Sequence, residues 1–177
     1  MLLALFDPHH LLVLAVILLA CLLLPASALA DPAVVGRASV IDGDTIDIGG
    51  ERVRLNGVDA PESWQRCEKE GGQEYRCGKE SAAALDALLA ASRPTRCEFI
   101  ERDRNKRFVG ICFRADGVNV NAWMVEQGHA MDWPRYSNYA YASLQKAAHD
   151  AKRGIWRGWY VLPCDARAAR GKYQRRC

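Results

Sequence analysis

The sequence predicts an α+β fold, a five-stranded OB-type β-barrel with three packed helices. Five short apolar segments of alternating pattern are separated by turn residues, as expected of strands. An Ala- and Leu-rich helical segment lies between the third and fourth strands, and two more helical segments follow the fifth. This order of three strands, helix, two strands and two helices fits an OB-type barrel, whose strand faces and loops bind polynucleotides.

The first three strands are joined by turn signals. Asp-Gly-Asp at 42–44 predicts a turn, and Gly-Gly at 49–50 predicts a hairpin. The predicted strands span residues 34–41, 45–48 and 51–58.

The remaining elements follow a polar segment. Residues 63–77 carry a Gly-Gly pair and predict a loop bounded by cysteines. Gly128 and Gly154 follow the last two helical segments as stop signals. We expect a helix at 79–91, strands at 95–100 and 108–114, and helices at 120–127 and 139–153.

The N-terminus predicts export. Residues 11–24 form an apolar run without a charge, and Ala28-Leu29-Ala30 follows as a small-x-small site. This pattern predicts a secretory signal cut after Ala30, and therefore a secreted or periplasmic protein. The alternative is an uncleaved membrane anchor, since the apolar stretch reaches the roughly 20 residues that a membrane span needs. We therefore expect a leader at 1–30, a folded domain at 31–156 and a basic, irregular tail at 157–177.

The chain is mildly basic, with 24 Lys and Arg residues against 21 Asp and Glu residues and a net charge of +3. This balance permits an anionic partner such as a nucleic acid but does not identify one. No feature of the sequence implies a protein partner, and we expect a monomer that meets a membrane only if the leader is uncleaved.

Six of the seven cysteines lie beyond the leader. An even number of cysteines behind an export signal favours disulfides, although six cysteines allow 15 pairings. No Cys-x-x-Cys motif occurs and the histidines show no ligand spacing, so structural zinc is not expected. We favour pairing between neighbours, which gives Cys67–Cys77, Cys97–Cys112 and Cys164–Cys177.

Four carboxylates lie at predicted strand ends within about 20 positions of one another. They are Asp42, Asp44, Asp59 and Glu62. Each aspartate alone fits ordinary turn chemistry. Hard oxygen ligands clustered on loops suit Ca²⁺, whereas transition metals would favour His or Cys nearby.

Two arginines, Arg54 and Arg107, lie on different predicted strands that a barrel could bring together. A guanidinium binds a phosphate through two hydrogen bonds and stays charged. Hydrolysis of a phosphodiester needs a carboxylate to activate or orient water, and cations to stabilise the negative transition state. The combination of acids and arginines therefore predicts a phosphodiesterase.

Three segments, VIDGDT, RLNGVDAPE and DRNKR, occur in this order in the sequence. They resemble the three motifs of the staphylococcal nuclease (thermonuclease) family. The resemblance runs from about residue 36 to about residue 156, and its first two motifs are the most specific. It implies an OB-fold endonuclease that depends on Ca²⁺ and cuts DNA or RNA to leave 3′-phosphates.

The resemblance also implies a calcium site. Asp44 and Asp59 would bind the ion directly, together with the backbone carbonyl of Ala60. Asp42 would lie behind these ligands.

Catalytic roles follow from the same motifs. Glu62 would act on the attacking water, as a general base or by orienting it. Arg54 and Arg107 would hold the phosphate and stabilise the charge that develops on it.

Residues that would bind the rest of the substrate are Arg104, Trp133 and Tyr136. The third family motif commonly reads Asp-Arg/Lys-Tyr-Gly-Arg, and this chain has Asn105-Lys106 where Tyr-Gly is expected. The two aromatic side chains could stack on bases, which contributes about 1–3 kcal/mol for each base.

The rival interpretation is a non-catalytic OB-fold module that binds nucleic acid. Family members that lose hydrolysis usually lose the acids or the arginines, and this chain keeps them. The sequence therefore favours the enzyme, and it leaves open whether DNA or RNA is the preferred substrate.

Overall fold

The computed structural model describes residues 33–171, which belong to one compact unit spanning Asp31–Cys177. The predicted leader, its cleavage site and Cys177 lie outside the described residues. No helix between residues 33 and 171 is long and apolar enough to cross a membrane.

A six-stranded sheet forms the centre of the unit. Its strands are β1 (Ala33–Gly36), β2 (Ala38–Asp42), β3 (Thr45–Ile48), β4 (Glu51–Leu55), β8 (Thr95–Arg102) and β9 (Phe108–Phe113). The strands are ordered β1-β8-β9-β4-β3-β2, and all neighbours are antiparallel except β4 and β9. Because β1 and β2 are consecutive in the chain but lie at opposite ends of this order, the sheet must curl on itself, as in an OB-type barrel.

Three small pairings complete the strands. β5 (Val58–Asp59) pairs with β10 (Met131–Asp132), while β6 (Cys67–Lys69) pairs with β7 (Glu74–Tyr75) and β11 (Gly158–Trp159). The prediction of a loop at 63–77 is therefore wrong in part, because this segment contains β6 and β7. Residues 51–58 are also not one strand, because a turn at Asn56-Gly57 separates β4 from β5, and Gly57 has a positive φ of 72°.

Five α-helices lie among the described residues. They are α1 (Cys77–Ala90), α2 (Val120–Glu126), α3 (Pro134–Ser137), α4 (Ala142–Asp150) and α5 (Pro163–Ala169), and a 3₁₀ helix spans Gly154–Arg157. The predicted helix at 139–153 begins late, because Asn138 and Tyr139 adopt positive φ angles of 51° and 64°. The tail was predicted to be irregular, but it contains β11 and α5.

Apolar side chains from the sheet and from α1 and α2 form the main core. Ile46, Val53, Leu85, Phe108 and Met124 are among those that are almost fully buried. Alternation along β4 directs Val53 and Leu55 into this core, which leaves Arg54 on the opposite face.

Two of the predicted disulfides are present. Cys67–Cys77 joins β6 to the start of α1, and Cys97–Cys112 links paired positions on β8 and β9. Cys164 is also disulfide-bonded, and Cys177, its predicted partner, lies outside the described residues.

Candidate active site

A cleft of about 450 Å³ lies beside β4, the hairpin between β8 and β9, and α5. Most of the residues that the sequence predicts for the site line it, namely Asp42, Arg54, Glu62, Arg104, Arg107, Trp133 and Tyr136. Asp44, Asp59 and Ala60 are buried behind this surface. The structure thus brings the predicted residues to one cleft and its floor.

Asp44 lies in the turn between β2 and β3 and is only 3% exposed. Its carboxylate accepts hydrogen bonds from the Thr45 hydroxyl at 3.0 Å and the Ala60 backbone N–H at 3.1 Å. The turn is pressed against the rest of the fold, since a Cβ at Gly43 would lie 2.1 Å from the Ser81 hydroxyl oxygen. Glycine at position 43 therefore lets Asp44 sit this deep.

Arg54 connects two of the buried acids. It donates to Asp44 Oδ1 at 2.6 Å and to Asp59 Oδ1 at 3.3 Å. The resemblance implied that Arg54 holds the phosphate. The structure instead places Arg54 in direct contact with the acids.

Asp59 is positioned by the pairing of β5 with β10, in which it lies opposite Met131. The backbone N–H of Trp133 donates to the Gly57 carbonyl at 2.8 Å, so the same pairing brings Trp133 to the cleft. The Arg54 guanidinium lies 5.7 Å from the Trp133 ring centre, within the range of a cation–π contact.

Trp133 and Tyr136 form a pair at the cleft surface, with ring centres 4.7 Å apart in an edge-to-face arrangement. Tyr136 is 43% exposed. An exposed ring at the cleft is available for stacking on a base.

Glu62 follows β5 and lies on a loop that is fixed by Gln65. The Glu62 N–H donates to the Gln65 side-chain carbonyl at 3.2 Å, and the Gln65 amide donates to the Val161 carbonyl at 2.6 Å. The loop that carries Glu62 is therefore attached to the chain that leads into α5.

Arg107 lies at the end of the loop between β8 and β9. Its guanidinium donates to Asp103 Oδ2 at 2.7 Å, and its backbone N–H donates to Asp103 Oδ1 at 2.9 Å. Lys106 has a positive φ of 62°, a conformation that favours glycine, and glycine is what the family motif commonly has at this position. Arg107 and Arg104 both line the cleft, and the ion-pair partner of Arg107 is Asp103.

Arg167 is the site residue that sequence reasoning missed. It extends from α5 and donates to both carboxylate oxygens of Asp59 at 2.9 Å and to Glu62 Oε1 at 2.7 Å. The sequence carried only a weak signal for α5. Pro163 is typical of a helix start and Ala-rich residues follow it, but the segment was interpreted as an irregular basic tail.

The electrostatics of the site reflect acids held close together. Burial raises the pKa of Asp42 to about 7, and the neighbouring charge of Asp44 adds to the rise. Burial also acts to raise the pKa of Asp44, but the charge of Arg54 and the Ala60 hydrogen bond outweigh it and lower this pKa.

For Asp59, burial raises the pKa and the hydrogen bonds from Arg167 oppose the rise. Arg54 and Arg167 themselves have raised pKa values, because burial is outweighed by their acidic partners.

The donor set fits a hard cation in its chemistry. Asp42, Asp44 and Asp59 offer only oxygen atoms, which Ca²⁺ prefers. In this arrangement, however, guanidinium groups occupy the oxygens of Asp44 and Asp59. Within residues 33–171, no group of three or more His, Cys, Asp or Glu side chains is arranged to hold a metal ion.

Comparison with known proteins identifies the family. The family model for staphylococcal nuclease homologues matches residues 52–158, which is more than half of the chain. The chain belongs to the staphylococcal nuclease family. Its OB fold is that of this family. The matched range contains the second and third motifs, with Arg54, Asp59, Glu62 and Arg107, but neither Asp44 nor Arg167.

Two of the three relatives described next are named as nucleases. The succinoglycan biosynthesis protein ExoI of Rhizobium meliloti (strain 1021) is 58% identical over 152 residues, which cover 86% of this chain and 80% of that protein. An uncharacterized endonuclease of Escherichia coli O157:H7 is 34% identical over 122 residues, covering 66% of this chain and 72% of the relative. The probable staphylococcal-like nuclease CAN4 of Oryza sativa subsp. japonica is 36% identical over 106 residues, covering 59% of this chain and 19% of the relative.

Proposed function

We propose that this member of the nuclease family is an exported, calcium-dependent endonuclease that hydrolyses DNA or RNA and leaves 3′-phosphates. The observation that carries the proposal is the convergence on one cleft of Glu62, two arginines that can bind a phosphate, and three aspartates with only oxygen donors. Family membership supports a nuclease, and the residues of the cleft support the chemistry.

Each of the cleft residues has its own role in hydrolysis. Arg107, at the cleft surface, binds a phosphate oxygen, and Arg54 adds a second guanidinium from the floor. Glu62 accepts the proton of an attacking water or orients it toward phosphorus. The fixed cationic groups stabilise the charge of the transition state without reorganising.

Asp44, Asp59 and the Ala60 carbonyl would hold the calcium ion, and Asp42 would lie close to these ligands without binding the ion itself. A bound Ca²⁺ supplies positive charge that polarises the phosphate and stabilises developing negative charge. Trp133 and Tyr136 receive the bases of the substrate, and Arg104 contacts its backbone.

Two other functions can be separated from this one. A binding module without catalysis would retain nucleic acid but release no product, and the presence of Glu62 with both arginines argues against it.

The name of the Rhizobium meliloti relative refers to succinoglycan biosynthesis, so this polysaccharide belongs among the substrates to be tested. The phosphate-binding arginines favour a phosphodiester.

Digestion assays test the proposal. The purified full chain is incubated with plasmid DNA, with structured RNA and with succinoglycan, each with CaCl₂ or with EGTA. We expect nicking and degradation of nucleic acid with Ca²⁺, loss of activity in EGTA and recovery when Ca²⁺ is restored. Full activity in EGTA would refute calcium dependence, and intact nucleic acid in every condition would refute the nuclease.

A further inference from the structure

Arg167 occupies the carboxylates on which the proposed cation site depends. Its guanidinium binds both oxygens of Asp59 and shares one nitrogen between Asp59 and Glu62. Its side chain is only 17% exposed, and it lies 5.6 Å from the centre of the Trp133 ring. The arrangement is therefore a bidentate, largely buried ion pair rather than a loose surface contact.

A divalent cation and this guanidinium compete for Asp59. Calcium binds carboxylate oxygens at about 2.3–2.6 Å, whereas the two Arg167 nitrogens already lie 2.9 Å from the two Asp59 oxygens. Both positive groups would then lie within a few ångströms of each other in a cleft of reduced dielectric, where like charges repel strongly. Binding of one therefore opposes binding of the other.

We infer that α5 is an intramolecular latch, in which Arg167 fills the cation site of the resting protein and must be displaced before a divalent cation binds Asp59. This inference rests on the proposed calcium site and adds regulation to it.

α5 is a short helix, and contacts on both sides of it join it to the loop that carries Glu62. The helix has seven residues and no side-chain cap at its N-terminus. Arg170 packs its guanidinium 3.7 Å from the Trp64 ring centre, and Gln65 holds the Val161 carbonyl. Because Gln65 also binds the Glu62 N–H, movement of the latch is coupled to the loop that carries Glu62.

Direct measurement of calcium binding tests the latch. CaCl₂ is titrated by calorimetry, without nucleic acid, into the full-length wild type, Arg167→Ala and Arg66→Ala. Arg66 is an exposed arginine that pairs with Glu74, so its replacement controls for the loss of one positive charge. Removing the competitor should lower the calcium Kd by about fivefold or more, the usual scale of coupling between two ligands. Arg66→Ala should remain close to wild type.

Hydrogen exchange of the wild type gives a second readout that needs no variant. We expect amides of residues 164–169 to exchange faster in Ca²⁺ than in EGTA, because α5 leaves its site. An unchanged Kd in Arg167→Ala, or unchanged exchange of α5 on calcium binding, would overturn the latch. Neither readout measures hydrolysis, so failure of the latch and failure of the nuclease remain distinguishable.

Discussion

Arg54 forms its ion pairs with the acids of its own site before any substrate arrives. Asp44 is 3% exposed and Arg54 is its shortest hydrogen-bond partner, at 2.6 Å. A buried carboxylate of this kind needs a positive partner, because leaving it unpaired is strongly destabilising. Arg54 therefore contributes to the integrity of the resting site as well as to phosphate binding.

His129 provides a test of the protein's pH dependence. Burial lowers the pKa of His129 below its usual value. The positive charge of Arg157 lowers this pKa further, while the negative charge of Glu80 acts to raise it. Its ring stacks on Trp123 at a centroid distance of 5.7 Å. Between its lowered pKa and the unfolded value of about 6.5, the unfolded chain binds more protons than the folded one. Its contribution to stability is therefore present above about pH 6.5 and is lost as the pH falls.

We expect His129→Gln to show a smaller fall in melting temperature than wild type between about pH 7.5 and pH 5. Thermal unfolding followed by circular dichroism measures this difference. His149→Gln is the matched control, since the His149 side chain is 66% exposed. The same pH slope in wild type and His129→Gln would contradict the assignment.

At the residue scale, the sequence predicted the acids, Arg54, Glu62 and Arg107 because they lie in short motifs whose spacing is preserved in the chain. It could not predict that Arg54 would contact the acids directly, since side-chain direction across a curled sheet depends on the whole fold. Arg167 lies more than 100 positions from Asp59, and no local pattern links them.

The start of α1 determines the position of the loop that carries Glu62. An added Cβ at Gly78 would lie 1.7 Å from the Glu62 carbonyl oxygen, so helix and loop are in direct backbone contact. Alanine favours a helix over glycine by about 1 kcal/mol. If alanine at this position lowers activity, the cause must therefore be the displaced loop, because the helix propensity of alanine is the more favourable one.

We expect Gly78→Ala to lower the rate of plasmid hydrolysis markedly, because the clash displaces Glu62 from the cleft. Initial rates under saturating Ca²⁺ measure this effect. Ala87→Gly, at an exposed position of the same helix, is the control and should reduce stability by about 1 kcal/mol while preserving activity. Wild-type rates in Gly78→Ala would contradict the proposed contact between α1 and the site.

At the scale of elements, the hairpin of β3 and β4 and the helices α1 and α2 were predictable, because strong turn signals and regular apolar patterns determine them. The pairing of β6 with β7 and β11 was not. These strands have two or three residues each, and a pattern of that length carries little information about strand formation. The Cys67–Cys77 disulfide closes the segment that contains β6 and β7, while β11 joins it from about 90 positions further along the chain.

At the scale of the whole molecule, the site is assembled from several separate parts of the chain. The β2–β3 turn supplies Asp44, the segment around β5 supplies Asp59 and Glu62, the β8–β9 hairpin supplies Arg107, and the C-terminal helix supplies Arg167. The sheet order determines this assembly, since parallel pairing of β4 with β9 sets Arg54 opposite Val109, two positions after Arg107. The fold class was predictable from element order, whereas the contribution of α5 depends on packing beyond the barrel.

The hydrolytic role of Glu62 tests the central claim most directly. The initial rate of plasmid hydrolysis in Ca²⁺ is compared between the wild type, Glu62→Gln and Glu68→Gln, after circular dichroism has shown that each variant is folded. Glu68 is an exposed glutamate on β6 and provides the matched control. Loss of a catalytic acid or base typically costs about 10²–10⁴-fold in rate.

We therefore predict a fall of that size in Glu62→Gln and a wild-type rate in Glu68→Gln. A wild-type rate in folded Glu62→Gln would contradict the account, because the cleft would then hydrolyse its substrate without the carboxylate assigned to the attacking water.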